Sequence, residues 1–274
     1  MTMKATKILN NNAVIINDQG QEKIAIGGGV AFNKNKNDII NPAKIEKLFV
    51  LEGNEKLERL LLRIPEEHFI LCEEIIAYAE EQLQTKMSSH ILLGLSDHLS
   101  FAIEREEQGI HLKNKLIQEI KILYRDEFKV GLWAIRHIKD KLGLEMPIDE
   151  AAFIALHLHT MKLEGGDLRE TIRETTIIRN MVEVIKTTLD ISIKEDDLAY
   201  ERLIMHLRFA LNRPNRYDVH VMDNEMLTMI QHKFKTAFNC AKRVSKHLCD
   251  AHGIQLPEEE VGYISLHIER LRNY

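Results

Sequence analysis

The chain contains an internal repeat, and this repeat limits its fold more than any other feature. Residues 98–105 read HLSFAIER and residues 206–213 read HLRFALNR, so both segments fit the pattern H-L-x-F-A-[IL]-x-R. A second block, residues 146–157, matches residues 256–267, with proline in the second place and histidine in the last. The offsets, 108 and 110 residues, are nearly equal. Because solenoid repeats are only about 20–50 residues long, this pattern predicts a duplicated domain.

Both copies of the repeat lie in a region with helical periodicity. From about Lys56 onward, apolar residues recur at spacings of three and four, and glycines become sparse. This spacing is typical of amphipathic helices that pack into bundles. The helical pattern is interrupted near Gly165-Gly166-Asp167. We therefore predict two homologous all-α helical-bundle domains, residues 57–168 and 169–274.

The first fifty residues have a different pattern. Two β-prone runs, residues 14–16 and 23–26, lie on either side of Asn17-Asp18-Gln19-Gly20, which has the composition of a tight turn. Further short apolar runs at residues 30–32 and 48–51 raise the expected number of strands to about four. We predict a small antiparallel β-sheet domain over residues 1–56. A domain of this size buries a modest fraction of its surface, so dimerisation through one face would stabilise it.

Charge and composition restrict the class of protein further. Residues 1–52 contain seven Lys and five acidic residues, which gives them a net charge of +2. The whole chain has a net charge of −5, so the remaining residues carry −7. The three cysteines form no CxxC pair, which argues against a disulfide framework. The N-terminus lacks the apolar core of a signal peptide, and no run is long enough to span a bilayer. These features predict a cytoplasmic protein without membrane insertion.

Each copy of the repeat contains two matched histidines, His98 with His157 and His206 with His267. One interpretation is that they are core residues with satisfied hydrogen bonds. A metal site is less favoured, because His157 and His159 lie on different faces of a helix and no HExxH motif occurs. The third interpretation is that neutral imidazoles accept phosphoryl groups, each of which adds about −2 charge at a helical interface. Asp97 could orient His98, but Met205 stands before His206.

Several motifs together resemble the BglG-type transcriptional antiterminators, and the resemblance extends over essentially the whole chain. They are KILNNNAV at residues 7–14, SDH at 96–98, EAAFIALH at 150–157 and ISLHIER at 264–270. The resemblance implies a co-antiterminator RNA-binding domain followed by two phosphotransferase-system regulation domains. It also implies a homodimer that binds a hairpin in the leader mRNA of a sugar-utilisation operon and thereby prevents formation of a terminator.

Candidate RNA-binding residues come from the N-terminal domain. RNA with unpaired bases is recognised by amide hydrogen bonds, stacking and contacts between lysine and phosphate. The residues of these types, together with glycines that allow a close approach of the backbone, are Lys7, Asn10, Asn12, Gly27, Gly29 and Phe32. An alternative is that Phe32 belongs to the core and the asparagines to turns. The family usually has a basic residue where this chain has Gly28, and Lys34 and Lys36 could compensate.

The resemblance also implies the regulatory roles of the histidines. His98 and His157 would be phosphorylated by the sugar-specific enzyme II permease, which inactivates the protein. His206 and His267 would accept phosphate from the phosphocarrier protein HPr, which favours the active dimer. The sequence contains no recognisable catalytic, cofactor or metal motif, so we do not expect an enzyme. A DNA-binding activator with the same regulatory domains is the main alternative, but the first 56 residues contain no helix-turn-helix pattern.

Overall fold

The computed structural model describes residues 3–50, 61–88, 91–162, 167–193, 197–212 and 222–272. Its N-terminal part is an antiparallel sheet with the strand order β1-β2-β3-β4. The strands are Lys4–Asn10, Ala13–Asp18, Gln21–Ile26 and Lys47–Val50. In the β2–β3 hairpin, Asp18 pairs with Gln21, so that Gln19 and Gly20 form the two-residue turn, both with positive φ. Positive φ at both positions is the geometry whose twist fits a tight hairpin.

The strands differ from the sequence prediction at two places. Lys4–Asn10 is a strand that was not predicted from the sequence, whereas Val30–Phe32, predicted to be a strand, forms turns. Here the backbone N–H of Val30 donates to the Gly27 carbonyl at 3.0 Å, and Gly29 has φ +63°. A left-handed residue directly before the apolar run bends the chain away from the extended conformation that a strand requires.

The two faces of the sheet belong to different apolar clusters. Val14, Ile16 and Ala25 lie on one face and pack with Val30 and Ile40, which belong to the segment between β3 and β4. The opposite face carries the alternate residues of the same strands, and its apolar side chains are part of the larger core of the first helical unit. This division follows from the two-residue period of a strand.

Ten α-helices have both ends within the described residues, besides a short 3-10 helix at Pro42–Lys44. Their bounds, for α1 to α10 in chain order, are Glu66–Leu83, Ile91–Glu107, Ile117–Leu123, Arg125–Leu142, Ile148–Lys162, Leu168–Leu189, Leu198–Leu211, Asn224–Lys233, Lys235–His252 and Glu258–Arg272. Asp167 and Asp197 cap the N-termini of α6 and α7, because their side chains accept hydrogen bonds from backbone N–H groups of the first turn. The small sheet followed by helical bundles confirms the predicted fold class.

The chain divides into two compact units. The first contains residues 1–113 and 129–166, and the second contains residues 114–128 and 167–274. Residues 114–128, which include α3, therefore pack with the second unit although they precede α5 in the chain. In that unit the Tyr200 hydroxyl donates to Glu119 at 3.3 Å, and Arg125 donates to both carboxylate oxygens of Glu201 at 2.9 Å. The predicted seam at Gly165 and Gly166 lies outside the described residues.

The repeated sequence blocks form equivalent helices in the two units. The first block lies in α2 and, as far as Leu211, in α7. The second block begins just before α5 and α10 and continues into them. Within each unit the two block helices pack against each other, α2 on α5 and α7 on α10. Acidic residues occupy the first turn of α5 and of α10, where the helix dipole favours them. None of the helices described above is long and apolar enough to cross a membrane.

Candidate functional site

The two histidines of the first unit come together between α2 and α5. His98 lies on α2 and His157 on α5, and their ring centroids are 4.9 Å apart with an interplanar angle of 36°. Phe153, one turn before His157, covers another side of the His98 ring, with the centroids 5.6 Å apart. The pairing predicted from the repeat is therefore a direct contact between two imidazoles in this unit.

A buried carboxylate lies beside the first histidine pair. Glu150 is fully buried, and its Oε2 lies 3.1 Å from His98 Nε2, an approach that is not aligned well enough to count as a hydrogen bond. The other carboxylate oxygen accepts a hydrogen bond from Arg105 Nη2. Arg105 is the last residue of the first repeat block, so α2 supplies both a histidine and an arginine to one carboxylate on α5.

The second unit repeats this arrangement with small changes. The ring centroids of His206 and His267 are 4.7 Å apart and the rings are stacked at 23°. Glu260 Oε2 lies 3.4 Å from His206 Nε2, and Tyr263 takes the place of Phe153 beside the first histidine. Arg213, which corresponds to Arg105, lies outside the described residues. Each unit therefore places two imidazoles and one carboxylate at the same helical interface.

The second histidine of each pair is held neutral. Burial, and after it the charge of His98, lowers the pKa of His157 from its ordinary value of 6.5 to about 3. Burial, followed by the charges of His206, Arg270 and Arg202, lowers the pKa of His267 from 6.5 to about 4. A low dielectric and a nearby positive charge both disfavour the protonated imidazole. At neutral pH these rings therefore carry a free lone pair on one nitrogen.

The carboxylate beside the His98 ring belongs to Glu150 and not to Asp97, the acid predicted from the sequence to orient this histidine. The signal for Glu150 was present in the repeat, because Glu150 and Glu260 each precede the second histidine by seven residues. Residues seven apart lie two turns apart on one face of a helix. Asp97 instead lines a small depression with Arg63 and Glu104.

A pocket opens beside the second pair. Its volume is about 490 Å³, and His206 and His267 both line it. Its walls are partly apolar, with contributions from Ile122, Leu198 and Phe209, and Arg125 and Arg202 also lie along it. Glu201, which is paired with Arg125, lines it as well, so the second pair is reached through a cavity that joins apolar surface with charged side chains of both signs.

The N-terminal domain has a polar groove on its surface. The groove has a volume of about 620 Å³ and is lined by Lys7, Lys34, Asn35 and Lys36 together with residues of the sheet. Phe32 is 58% exposed and is therefore not a core residue. The lysines provide positive charge and Phe32 provides an aromatic face on the same small domain. Proteins that bind single-stranded nucleic acid combine these two features.

The other candidate RNA-binding residues organise the glycine-rich turn. Asn12 is buried, and its Oδ1 accepts a hydrogen bond from the Gly29 N–H at 2.6 Å. Gly27 has no room for a side chain, since a Cβ there would lie 2.0 Å from the Lys44 carbonyl oxygen. Asn10 donates from Nδ2 to the Leu61 carbonyl at 2.9 Å. The structure therefore gives the two asparagines roles within the protein itself.

Gly28, where the sequence departs from the family pattern, is an open position. A Cβ built there would meet only the carboxylate of Glu46, at 3.8 Å, and the φ of Gly28 is not in the left-handed region. The turn would therefore accept a larger residue. Among the described residues, no group of three or more His, Cys, Asp or Glu side chains is placed to hold a metal ion.

Comparison with known families agrees with this architecture. Residues 3–58 match the family described as CAT RNA binding domain, and residues 73–161 and 179–271 match the family described as PRD domain. The chain belongs to the CAT–PRD transcription antiterminator family. Among its relatives is the transcription antiterminator LicT of Bacillus subtilis (strain 168), which is 36% identical over 98% of this chain and 99% of that protein.

Two further matches show how far the CAT–PRD architecture extends. The beta-glucoside operon antiterminator of Dickeya chrysanthemi is 36% identical over 99% of this chain and 97% of its own length. The crystal structure of GlcT CAT-PRDI is 30% identical, with a TM-score of 0.53, and the match covers 60% of this chain and 100% of that one. The resemblance found in the sequence is confirmed, and the relatives named here are regulators of transcription.

Proposed function

We propose that this CAT–PRD protein is a cytoplasmic antiterminator, and not an enzyme, that binds a hairpin in the leader mRNA of a sugar-utilisation operon. Binding prevents formation of the terminator, so that transcription continues. Phosphorylation of His98, His157, His206 and His267 by the phosphotransferase system regulates this activity. The functional domains are residues 1–56, which bind RNA as a homodimer, and residues 57–168 and 169–274, which carry the phosphorylated histidines.

The observation that carries the regulatory part is the matched pair of imidazoles in each unit. Two neutral nucleophiles, His157 and His267, occupy equivalent places at a helical interface, each beside a second histidine. A phosphoryl group replaces a nearly neutral ring by a group of about −2 charge. Because Glu150 and Glu260 lie within the same clusters, this charge would repel them and change how the block helices pack.

The donors follow from the resemblance to the antiterminators. HPr is the proposed donor for His206 and His267, and the pocket beside these residues offers apolar surface and the Arg202 side chain to a donor protein. The sugar-specific enzyme II permease is the proposed donor for His98 and His157. The two donors act in opposite directions, since phosphate on the first pair inactivates the protein and phosphate on the second favours the active dimer.

The RNA-binding part is supported by the groove on the CAT domain. Lys7, Lys34 and Lys36 supply charges for phosphates, and exposed Phe32 supplies a stacking surface for an unpaired base. Asn12, Gly27 and Gly29 contribute by fixing the turn that precedes Phe32. Asn10 lies at the end of β1, where its side chain also bonds to Leu61.

The RNA-binding proposal is tested by titrating the full chain against the leader RNA of its own operon. The controls are the same RNA with a disrupted stem and the matching duplex DNA. Phe32→Ala should weaken binding about fivefold or more, since stacking contributes about 1–3 kcal/mol per base. Ile39→Ala, at another exposed apolar residue of the domain, should have no effect. Equal affinity for the hairpin and the duplex DNA would refute the proposal.

Gly28 offers a second test on the same RNA. Gly28→Arg places a positive charge at a position with room for a side chain. We expect tighter binding and a salt dependence that is steeper by about one phosphate contact. An unchanged salt dependence would show that position 28 does not face the RNA.

The phosphorylation proposal is tested with the full chain and HPr charged from phosphoenolpyruvate. His206→Ala with His267→Ala should abolish phosphate transfer from HPr, whereas His98→Ala with His157→Ala should leave most of it. His232→Ala, an exposed histidine outside the repeated blocks, serves as the control and should behave as the unmodified protein. Full incorporation into a variant that lacks all four block histidines would overturn the assignment.

A further inference from the structure

The first histidine of each pair turns the same nitrogen inward. Nε2 is the buried nitrogen of both His98 and His206, although each side chain keeps 18% of its surface exposed. In His267 the buried nitrogen is instead Nδ1. A phosphoryl donor that approaches from solvent therefore meets different nitrogens on the two histidines of the second pair.

The buried nitrogen of the first histidine faces a carboxylate in both units. Glu150 Oε2 is 3.1 Å from His98 Nε2, and Glu260 Oε2 is 3.4 Å from His206 Nε2. In a neutral imidazole one nitrogen carries the proton and the other carries the lone pair. Because a carboxylate attracts an N–H and repels a lone pair, it selects the tautomer with the proton on Nε2.

We propose that Glu150 and Glu260 are positioning residues that hold the proton on Nε2 of His98 and His206, so that these two histidines accept phosphate on Nδ1. His267, whose Nδ1 is buried, accepts it on Nε2. This inference rests on the proposed phosphorylation of the block histidines and adds the atom at which each is modified and the residue that selects it.

The transfer step needs no group beyond a phosphohistidine on the donor protein. The Nδ1 lone pair of His98 or His206 forms the new N–P bond as the N–P bond of the donor breaks, and the bonding electron pair returns to the donor imidazole. The accepting ring keeps its proton on Nε2 and gains positive charge as Nδ1 becomes bonded to phosphorus. The carboxylate beside Nε2 stabilises that charge, as a buried acid does for a catalytic histidine in other proteins.

Arg105 fixes the position of the carboxylate in the first unit. It donates to Glu150 Oε1, which leaves Oε2 directed at His98. Glu150 is therefore held between an arginine and the imidazole that it orients.

The first experiment determines which nitrogen is phosphorylated. Two variants of the full chain each keep one block histidine, His98 or His206, and have alanine at the other three. Each is phosphorylated with phosphoramidate, which removes any dependence on a donor protein, and ³¹P NMR of the alkaline-denatured chain identifies the isomer. Nδ1-phosphohistidine is expected in both, and Nε2-phosphohistidine in either would overturn the proposal for that residue.

The second experiment tests the role of the carboxylate. Glu260→Gln in the chain that keeps only His206 should slow phosphorylation about tenfold, the size of effect that loss of an orienting partner has on a histidine ligand. It should also yield a mixture of both isomers. Glu258→Gln removes an exposed carboxylate from the same first turn and should change neither the rate nor the isomer. An unchanged rate and isomer in Glu260→Gln would exclude a positioning role.

A third measurement separates this inference from the proposed function. The ¹⁵N shifts of His98 and His206 in the unphosphorylated full chain report the tautomer directly, and the Nε2–H form is expected in both. If no block histidine takes up phosphate, the proposed phosphorylation fails, while the tautomer still shows whether the glutamates orient the rings. The Nδ1–H form in the unmodified chain would overturn the inference even if phosphorylation occurs.

Discussion

The two histidine pairs have the same geometry but different electrostatic surroundings. In the first unit, Glu150 is fully buried and accepts a hydrogen bond from Arg105, whereas in the second unit Glu260 keeps 10% of its side chain exposed. Duplication has thus preserved the two imidazoles and the acid while the shielding of the acid has changed. The imidazoles determine which groups the site can react with. The burial of the glutamate determines how strongly a new charge at the site disturbs the fold.

A second difference concerns the charge next to the second histidine of each pair, His157 or His267. Arg202 and Arg270 both act on His267, while the position that corresponds to Arg202 in the first copy is Gly94. A Cβ added to Gly94 would lie 3.9 Å from His157 Nδ1, so this glycine stands close to the ring. The second pair therefore has cations that can neutralise a phosphate, and the first pair has a small uncharged residue at the same place.

The largest expected effect comes from removing the two acids. Glu150→Ala leaves Arg105 without its carboxylate in a largely buried setting, and breaking such a pair costs about 3–5 kcal/mol. Glu260→Ala should cost about 1 kcal/mol, because its carboxylate is less buried and lies farther from the histidine. Urea denaturation of the full chain, followed separately for the two units, measures both. Equal losses would mean that the deeper burial of Glu150 adds nothing to the first site.

The pH dependence of stability should also differ between the second histidines of the two pairs, His157 and His267. Both pKa values lie below 6.5 in the folded chain, so the unfolded chain binds more protons as the pH falls below that value. Each histidine therefore destabilises the fold on acidification, by at most about 1.4 kcal/mol per pH unit. The contribution of His267 should end near pH 4, and that of His157 near pH 3.

The test compares denaturation between pH 7 and pH 3 for the unmodified chain, His157→Gln and His267→Gln. Each substitution should flatten the curve over the range of the histidine that it removes. A curve that stays parallel to that of the unmodified chain would mean that the substituted histidine is not held neutral in the folded state. The comparison with a variant is needed because ordinary carboxylates, with pKa values of about 4, also titrate over this range.

The positions of the site residues were largely predictable from the sequence, but their contacts were not. A repeat with matching histidines indicates that His98 and His157 share a site, because duplication preserves the interface between the block helices. The role of Glu150 depends on how α2 and α5 approach each other, which periodicity does not define. Asn12 was predicted to contact RNA, yet its side chain is buried against Gly29, a contact across 17 residues that no local pattern reveals.

A smaller effect is expected from the cation beside the second pair. Arg202→Gly gives the second site the residue of the first and should reduce phosphorylation of His267 a few-fold, since an exposed cation contributes about 0.2–1 kcal/mol. Quantitative phosphate incorporation at His267, in a chain without the other three block histidines, measures this. Arg243→Gly, at a residue outside the repeated blocks, is the control. A loss as large as that of His267→Ala would instead indicate that Arg202 is essential for the reaction.

The smallest expected effect concerns the aromatic residue that follows the first histidine by three positions. Phe101 is 45% exposed and lies under Arg63, whose Cζ is 4.6 Å from the ring centroid, whereas Phe209 is 60% exposed and lines the pocket. Phe101→Ala should cost about 0.5–1 kcal/mol through the lost cation–π contact, and Phe209→Ala should cost less. Both free energies of unfolding are measured over a range of protein concentrations. A larger loss for Phe209→Ala, increasing with protein concentration, would mean that a second chain covers this ring in solution, and the difference between the two copies would then lie in their assembly.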